Sequence, residues 1–234
     1  MKDITVDEVL KYLSKYLAEP SVSTGKLLAE VPEWLQRVLV ANDDERIRLT
    51  LEAWKPYQNQ LPSVCEFLSA HLRNVMLLTD KNLVTGSMNS RRLYQMEKDG
   101  RFFYYAGGNP IRKTMPDNVH AAWSKLPSDF RQFYDSFHNG WYYVASNSMG
   151  PSPTEDFFIL DDLEWGILED IDDPGCNLKD LLAVYTNGMG GYVALSVEGN
   201  KTYGNVLWWK DKAPRLNIDA WAVMDAWTQI RLSK

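Results

Sequence analysis

Thr186-Asn187-Gly188-Met189-Gly190-Gly191-Tyr192-Val193-Ala194-Leu195-Ser196-Val197, followed after a turn by Asn205-Val206-Leu207-Trp208-Trp209, decides how the second half of this chain folds. A glycine cluster that cradles phosphate must feed the positive end of a helix, yet the residues after Gly191 are β-branched and aromatic with no helical period. The spacing fails as well, because Val193 stands where a dinucleotide fingerprint needs its last glycine. The glycines are therefore read as conformational freedom at a tight entry into a strand pair. Upstream, Trp141–Val144, Phe157–Leu160 and Leu181–Tyr185 have strand composition. Glu198-Gly199-Asn200-Lys201 joins the last two strands. A closing helix places Leu216, Ala220, Val223, Met224, Trp227 and Ile230 on one face, packed on the sheet.

The first eighty residues carry helical patterns. Thr5 and Glu8 form a capping box ahead of Val9, Leu10 and Leu13, and Glu19-Pro20 stops that helix. Pro32 opens a second helix to Val40, and Asp43-Asp44 heads a third through Ile47, Leu51 and Trp54. A fourth runs from Ser63 with Val64, Phe67, Leu68, His71, Leu72 and Val75 as its buried stripe. Lys98-Asp99-Gly100-Arg101 marks a hairpin between Leu93 and Tyr105. Gly107-Gly108-Asn109-Pro110 then punctuates the chain, and a new helical pattern follows Pro116. Val119, Ala122 and Trp123 belong to a short helix. Phe130, Phe133, Tyr134 and Phe137 form the aromatic face of the next, which Asn139-Gly140 ends. The expected architecture is α+β: a mixed or antiparallel sheet flanked by helices over residues 111–234, preceded by a helical N-terminal lobe with a small hairpin over residues 1–110.

Composition narrows the function classes. Net charge is −6, which disfavours nucleic acid and anionic membranes and favours basic partners. No apolar run reaches the roughly 20 residues that span a bilayer. Met1–Glu8 carries acids where a secretory leader needs a basic start, so a cytoplasmic location is expected, with Cys65 and Cys176 as structural thiols. His71, His120 and His138 have no metal-like spacing, and His71 is expected to be partly buried. Asp170-Ile171-Asp172-Asp173-Pro174-Gly175 fails as a calcium loop because Pro174 interrupts it and Leu181 replaces the closing glutamate. Asn200-Lys201-Thr202 has the form of a glycosylation sequon but is read as a polar turn. No catalytic residue, metal site or cofactor is assigned, and the chain is not expected to be an enzyme.

Charge is segregated along the sequence. No Lys or Arg occurs in the 47 residues between Arg131 and Lys179, whereas ten Asp and Glu accumulate there. The middle of the chain is basic, with Arg73, Lys81, Arg91, Arg92, Lys98, Arg101, Arg112 and Lys113. The acidic run is either solvated surface or a docking face for a basic protein. Phe157, Phe158 and Trp165 are its apolar anchors or else core strand residues. On the docking reading, the partner-binding residues are Asp161, Asp162, Glu164, Glu169, Asp170, Asp172 and Asp173.

Leu126-Pro127-Ser128 leading through a helix to Asn139-Gly140, the Gly190-Gly191-Tyr192 strand entry, and Gly204-Asn205-Val206-Leu207-Trp208-Trp209 together resemble the SUKH superfamily, the Smi/Knr-like domains. The resemblance covers roughly residues 115–234. Gly191 departs from it, since many members carry aspartate there. The resemblance implies a non-catalytic bacterial immunity protein that binds a cognate toxin, such as a nuclease delivered by a neighbouring cell, and occludes its active site. The alternative it implies is a regulatory scaffold of the Smi/Knr type.

Overall fold

The computed structural model describes residues 4–23, 33–110, 115, 117–171, 173–199 and 202–233. Pro32, Arg112, Lys113, Pro116, Asp172, Asn200 and Lys201, each used in the sequence reading, lie outside these residues. The fold is α+β, with seven helices and two five-stranded antiparallel sheets among the described residues. Each sheet is a meander. The first runs in the order β1 (Ser21–Ser23), β2 (Leu72–Lys81), β3 (Met88–Lys98), β4 (Arg101–Gly108) and β5 (Trp141–Tyr143). The second contains β6 (Phe158–Ile159), β7 (Leu181–Thr186), β8 (Gly191–Ser196), β9 (Asn205–Trp209) and β10 (Arg215–Ile218).

Helix starts follow their local chemistry. In α1 (Val6–Leu13), Thr5 and Glu8 form the reciprocal capping box. Helix α2 spans Glu33–Val40, and Asn42 caps α3 (Asp43–Trp54) by accepting from Glu45 N at 3.0 Å. Helix α4 (Pro62–His71) ends where Leu72 turns extended at φ −64°, ψ 128°. The helical stripe expected from the sequence extends through Val75, and here the structure corrects it. Val75 faces the main core while Met76 and Leu78 face a second cluster under α1, so this run is buried on both faces. A fully buried strand shows a continuous apolar run without alternation, which a helical template also fits.

The hairpin at Asp99-Gly100 is present, with both residues at positive φ (52° and 74°) and Lys98 opposite Arg101. It is no small appendage. Its strands β3 and β4 lie in the first sheet, so the described part of residues 1–110 carries strands beside its helices. Strand β5 pairs with β4 from beyond residue 110, and the sheet crosses that position.

Residues 148–152 join the two sheets, linking the edge strand β5 to the stretch of β7 that β6 leaves uncovered. Tyr143 N donates to Ser148 O at 3.0 Å and Trp141 N to Pro151 O at 2.8 Å on one side. On the other, Met149 N donates to Thr186 O at 2.9 Å and Ser152 N to Val184 O at 3.1 Å. The main core fills the space that both sheets face, bringing Trp54, Tyr94, Tyr105, Phe133 and Trp141 together with Val184, Leu195 and Met224. Helices α5 (Asp117–Trp123), α6 (Ser128–Gln132, continued as a π turn over Phe133–Phe137) and α7 (Ala220–Leu232) pack against it.

A relay of donors crosses this core. Trp54 Nε1 donates to Tyr94 Oη at 3.3 Å, Tyr94 Oη lies 2.6 Å from His138 Nε2, and His138 Nδ1 lies 3.0 Å from Gly108 O. The Gly108 carbonyl can only accept, so the His138 proton resides on Nδ1 and Tyr94 donates to Nε2. Burial pushes the imidazole down to about 3, because the cation has no water to solvate it.

In α7 the inward residues are Ala220, Met224, Asp225, Thr228 and Leu232. This corrects the expected face. Trp227 is half-buried against Tyr185 and Trp209, Ile230 is 47% exposed, and Leu216 belongs to β10. The cause is polar burial: Asp225 accepts from Ser63 N and Val64 N at the start of α4, both at 3.1 Å, and so turns the helix toward α4.

The following outcomes check this packing. Met224→Ala should cost about 2–5 kcal/mol in urea unfolding, whereas Ile230→Ala should change stability by less than about 0.5 kcal/mol. A Cβ at Gly150 would fall 1.9 Å from Trp141 O, so Gly150→Ala should cost about 3 kcal/mol or more by the same measurement. His138 has a folded value below its ordinary 6.5, so its contribution is complete above about 6.5 and is lost as pH falls toward 3. That loss amounts to about 1.4 kcal/mol per pH unit, and the His138 ring resonances should stay at their neutral positions down to about pH 4.

Candidate partner-binding surface

The outer face of the second sheet is covered by the acidic run. Leu160, Trp165 and Ile167 point inward onto Leu181, Ala183, Ala194, Val206 and Trp208. Trp165 is fixed by its indole N–H, which donates to Leu160 O at 2.6 Å, and by an edge contact with Trp208 at 5.5 Å. Between these anchors the chain makes short 3-10 turns, Leu160–Asp162 and Gly166–Glu169. Every intervening residue is displayed outward.

Asp161, Asp162, Glu164, Glu169, Asp170 and Asp173 are all exposed on this layer. Asp172 lies outside the described residues. Asp162 accepts from Ile159 N at 3.1 Å and Asp173 from Gly175 N at 2.7 Å, so two of the acids also shape their turns. Among the described residues, no ion pair reaches Asp161, Glu164, Glu169, Asp170 or Asp173. Glu155 and Asp156 are engaged elsewhere, accepting from Asn139 at 2.9 Å and Asn147 at 3.0 Å.

Four cations in the basic middle of the chain are engaged within the fold. Arg73 pairs with Glu97 at 3.1 Å, Lys81 with Glu19 at 3.0 Å, and Arg91 with Asp80. Arg92 is fully buried with Nη2 on Asn109 Oδ1 at 2.8 Å, and burial pulls its guanidinium down to about 9.

Of the aromatics weighed as anchors, Phe157 is in the main core, and Trp165 and Phe158 pack in the cluster beneath the acidic layer. All three are core residues. The apolar side chains displayed among the acids are Leu163, 48% exposed, and Leu168, 38% exposed, neither of which the sequence marks out. They look like ordinary leucines of an apolar period until Trp165 and Ile167 take the inward positions.

The β7–β8 turn realises the backbone reading of the glycines. Gly188 and Gly190 have φ of 73° and 83°, and Asn187 Oδ1 accepts from Met189 N at 2.8 Å and Gly191 N at 2.9 Å. Met189 stands 79% exposed at the tip. His71 is partly buried, with Nδ1 3.0 Å from Glu97 O. Cys65 and Cys176 are free, and burial pushes both thiols up to about 11. Among the described residues, no three His, Cys, Asp or Glu converge to hold a metal ion, and no helix is long and apolar enough to cross a membrane.

Residues 117–227 match the SMI1 / KNR4 family (SUKH-1). The chain carries a SUKH domain. It begins at α5, takes in the aromatic helix, the splice at 148–152, the acidic layer and the strand pair β8–β9, and ends within α7. No curated protein and no solved structure gives a match. The SUKH match stops short of β1 to β4, yet the strand β5 inside it completes the sheet those strands form.

Proposed function

We propose that this chain is a cytoplasmic immunity protein, which binds a cognate antibacterial toxin and occludes its active site by stoichiometric association without turnover. The SUKH domain supports membership of a class of immunity and regulatory binding domains. The observation that carries the docking reading is the acidic layer with Leu163 and Leu168 in its midst, five of whose carboxylates take part in no ion pair among the described residues. Such a face steers a basic partner, and the leucines supply apolar area once water is expelled. The docking residues are Asp161, Asp162, Glu164, Glu169, Asp170, Asp172 and Asp173. A nuclease toxin fits this face because its phosphate-binding groove must itself be basic.

The test is whether a neighbouring reading frame encodes a secreted protein with a toxin-like C-terminal domain, and whether co-producing that domain with this chain is tolerated. Growth should be rescued, and the purified pair should form an equimolar complex. Glu169→Lys with Asp170→Lys should lower the association rate by about tenfold at low salt and by less at high salt, with a smaller change in dissociation. Unchanged kinetics in a folded variant would show the run to be solvated surface. Several weak partners in place of one tight one would identify a regulatory scaffold of the Smi/Knr type.

A further inference from the structure

A cleft of about 250 Å³ opens where α6, α7 and the β8–β9 pair meet, away from the acidic layer. Its floor is the surface of the main core, formed by Phe130, Leu195 and Met224. Two carboxylates, Asp129 and Asp219, stand in its lining, and none of the nine lining residues is positively charged. Asp129 Oδ2 accepts from Trp221 Nε1 at 2.8 Å, and Asp219 Oδ1 caps α7 by accepting from Ala222 N at 3.1 Å. The second oxygen of each accepts no hydrogen bond among the described residues, and no ion pair reaches either residue. The ring of Trp221, 5.7 Å from that of Phe130, forms a wall.

From this geometry we infer that the cleft receives one arginine side chain of a partner protein, with its guanidinium on Asp129 and Asp219 and its aliphatic stem on Phe130, Leu195 and Met224. The size is right for a single side chain, being below the roughly 300–1,000 Å³ of clefts that hold drug-sized ligands. The chemistry is that of a binding anchor: an apolar floor rewards methylenes, and two free carboxylate oxygens accept the planar fork of donors that arginine presents. The indole face of Trp221 adds a surface on which a guanidinium stacks. The inference rests on the reading of this chain as a protein-binding domain and adds a second contact, separate from the acidic layer.

The experiment uses the whole chain and small probes. N-acetyl-arginine amide is titrated into the labelled protein while the indole N–H resonance of Trp221 is followed. N-acetyl-norleucine amide serves as the uncharged control. The arginine probe should produce a saturable shift with a dissociation constant on the order of a millimolar, and norleucine should not. Asp129→Asn with Asp219→Asn should weaken the response at least about tenfold while keeping both acceptor oxygens that the fold uses, since Asn also caps helices. Should the double variant not fold, Asp219→Asn alone must show a weakened response. Equal responses to the two probes, no saturable shift, or undiminished binding in the variants would overturn the inference. A chain that takes the arginine probe yet neither protects against nor binds the toxin would refute the immunity reading alone. One that binds the toxin and ignores the probe would refute the arginine cleft alone.

Discussion

The structure depends on the splice at residues 148–152, where one short segment hydrogen-bonds to β5 on one side and β7 on the other. Two five-stranded meanders would each leave an edge with unmet donors and acceptors, and unpaired edges invite pairing with other chains. The splice gives β5 and the uncovered stretch of β7 a shared hydrogen-bonding partner. Tight passage is the requirement it imposes. Gly150 runs so close to the Trp141 carbonyl that only a residue without Cβ fits, and Met149 adopts φ 58° beside it. Tyr105 Oη then donates to Met149 O at 3.1 Å, so a strand of the first half also holds the splice in place.

Because of that geometry the SUKH segment and the first half share one interior. The relay Trp54, Tyr94, His138 and Gly108 draws on α3, β3 and β4 on one side and on the end of the aromatic helix on the other. A neutral imidazole at that junction serves both halves without burying a charge that nothing would neutralise. The first sheet thus supplies the wall against which the helices of the SUKH segment close their aromatic face.

How much of this was legible follows from which signals are local. The capping box at Thr5, the hairpin at Asp99-Gly100 and the positive φ of Gly188 and Gly190 are decided within a few residues, and the sequence shows them. The switch to strand at Leu72 is not local, because Leu68, His71, Leu72 and Val75 fit a helical stripe and only burial on both sides makes the following run a strand. The orientation of α7 was hidden for another reason. Asp225 faces inward to hold the first amides of α4, a contact 161 residues away in sequence, and the apolar period by itself puts Trp227 and Ile230 where that aspartate's neighbours go. At the candidate surface the acids were visible as a gap in Lys and Arg. Leu163 and Leu168 were not, since their exposure follows from Trp165 and Ile167 taking the inward positions.

The acidic layer and the second sheet explain each other. A sheet with apolar residues on both faces needs cover on its outer side, and a segment that anchors only Leu160, Trp165 and Ile167 must turn the rest of its length to water. Uncharged polar residues would meet that need, so cover alone does not require carboxylates. Nor do the acids answer Arg73, Lys81 and Arg91, which are met by Glu97, Glu19 and Asp80, none of which belongs to the acidic run. Self-repulsion among like charges lowers the stability of the layer that carries them. On the proposed docking reading, a partner's positive charge is what relieves that repulsion.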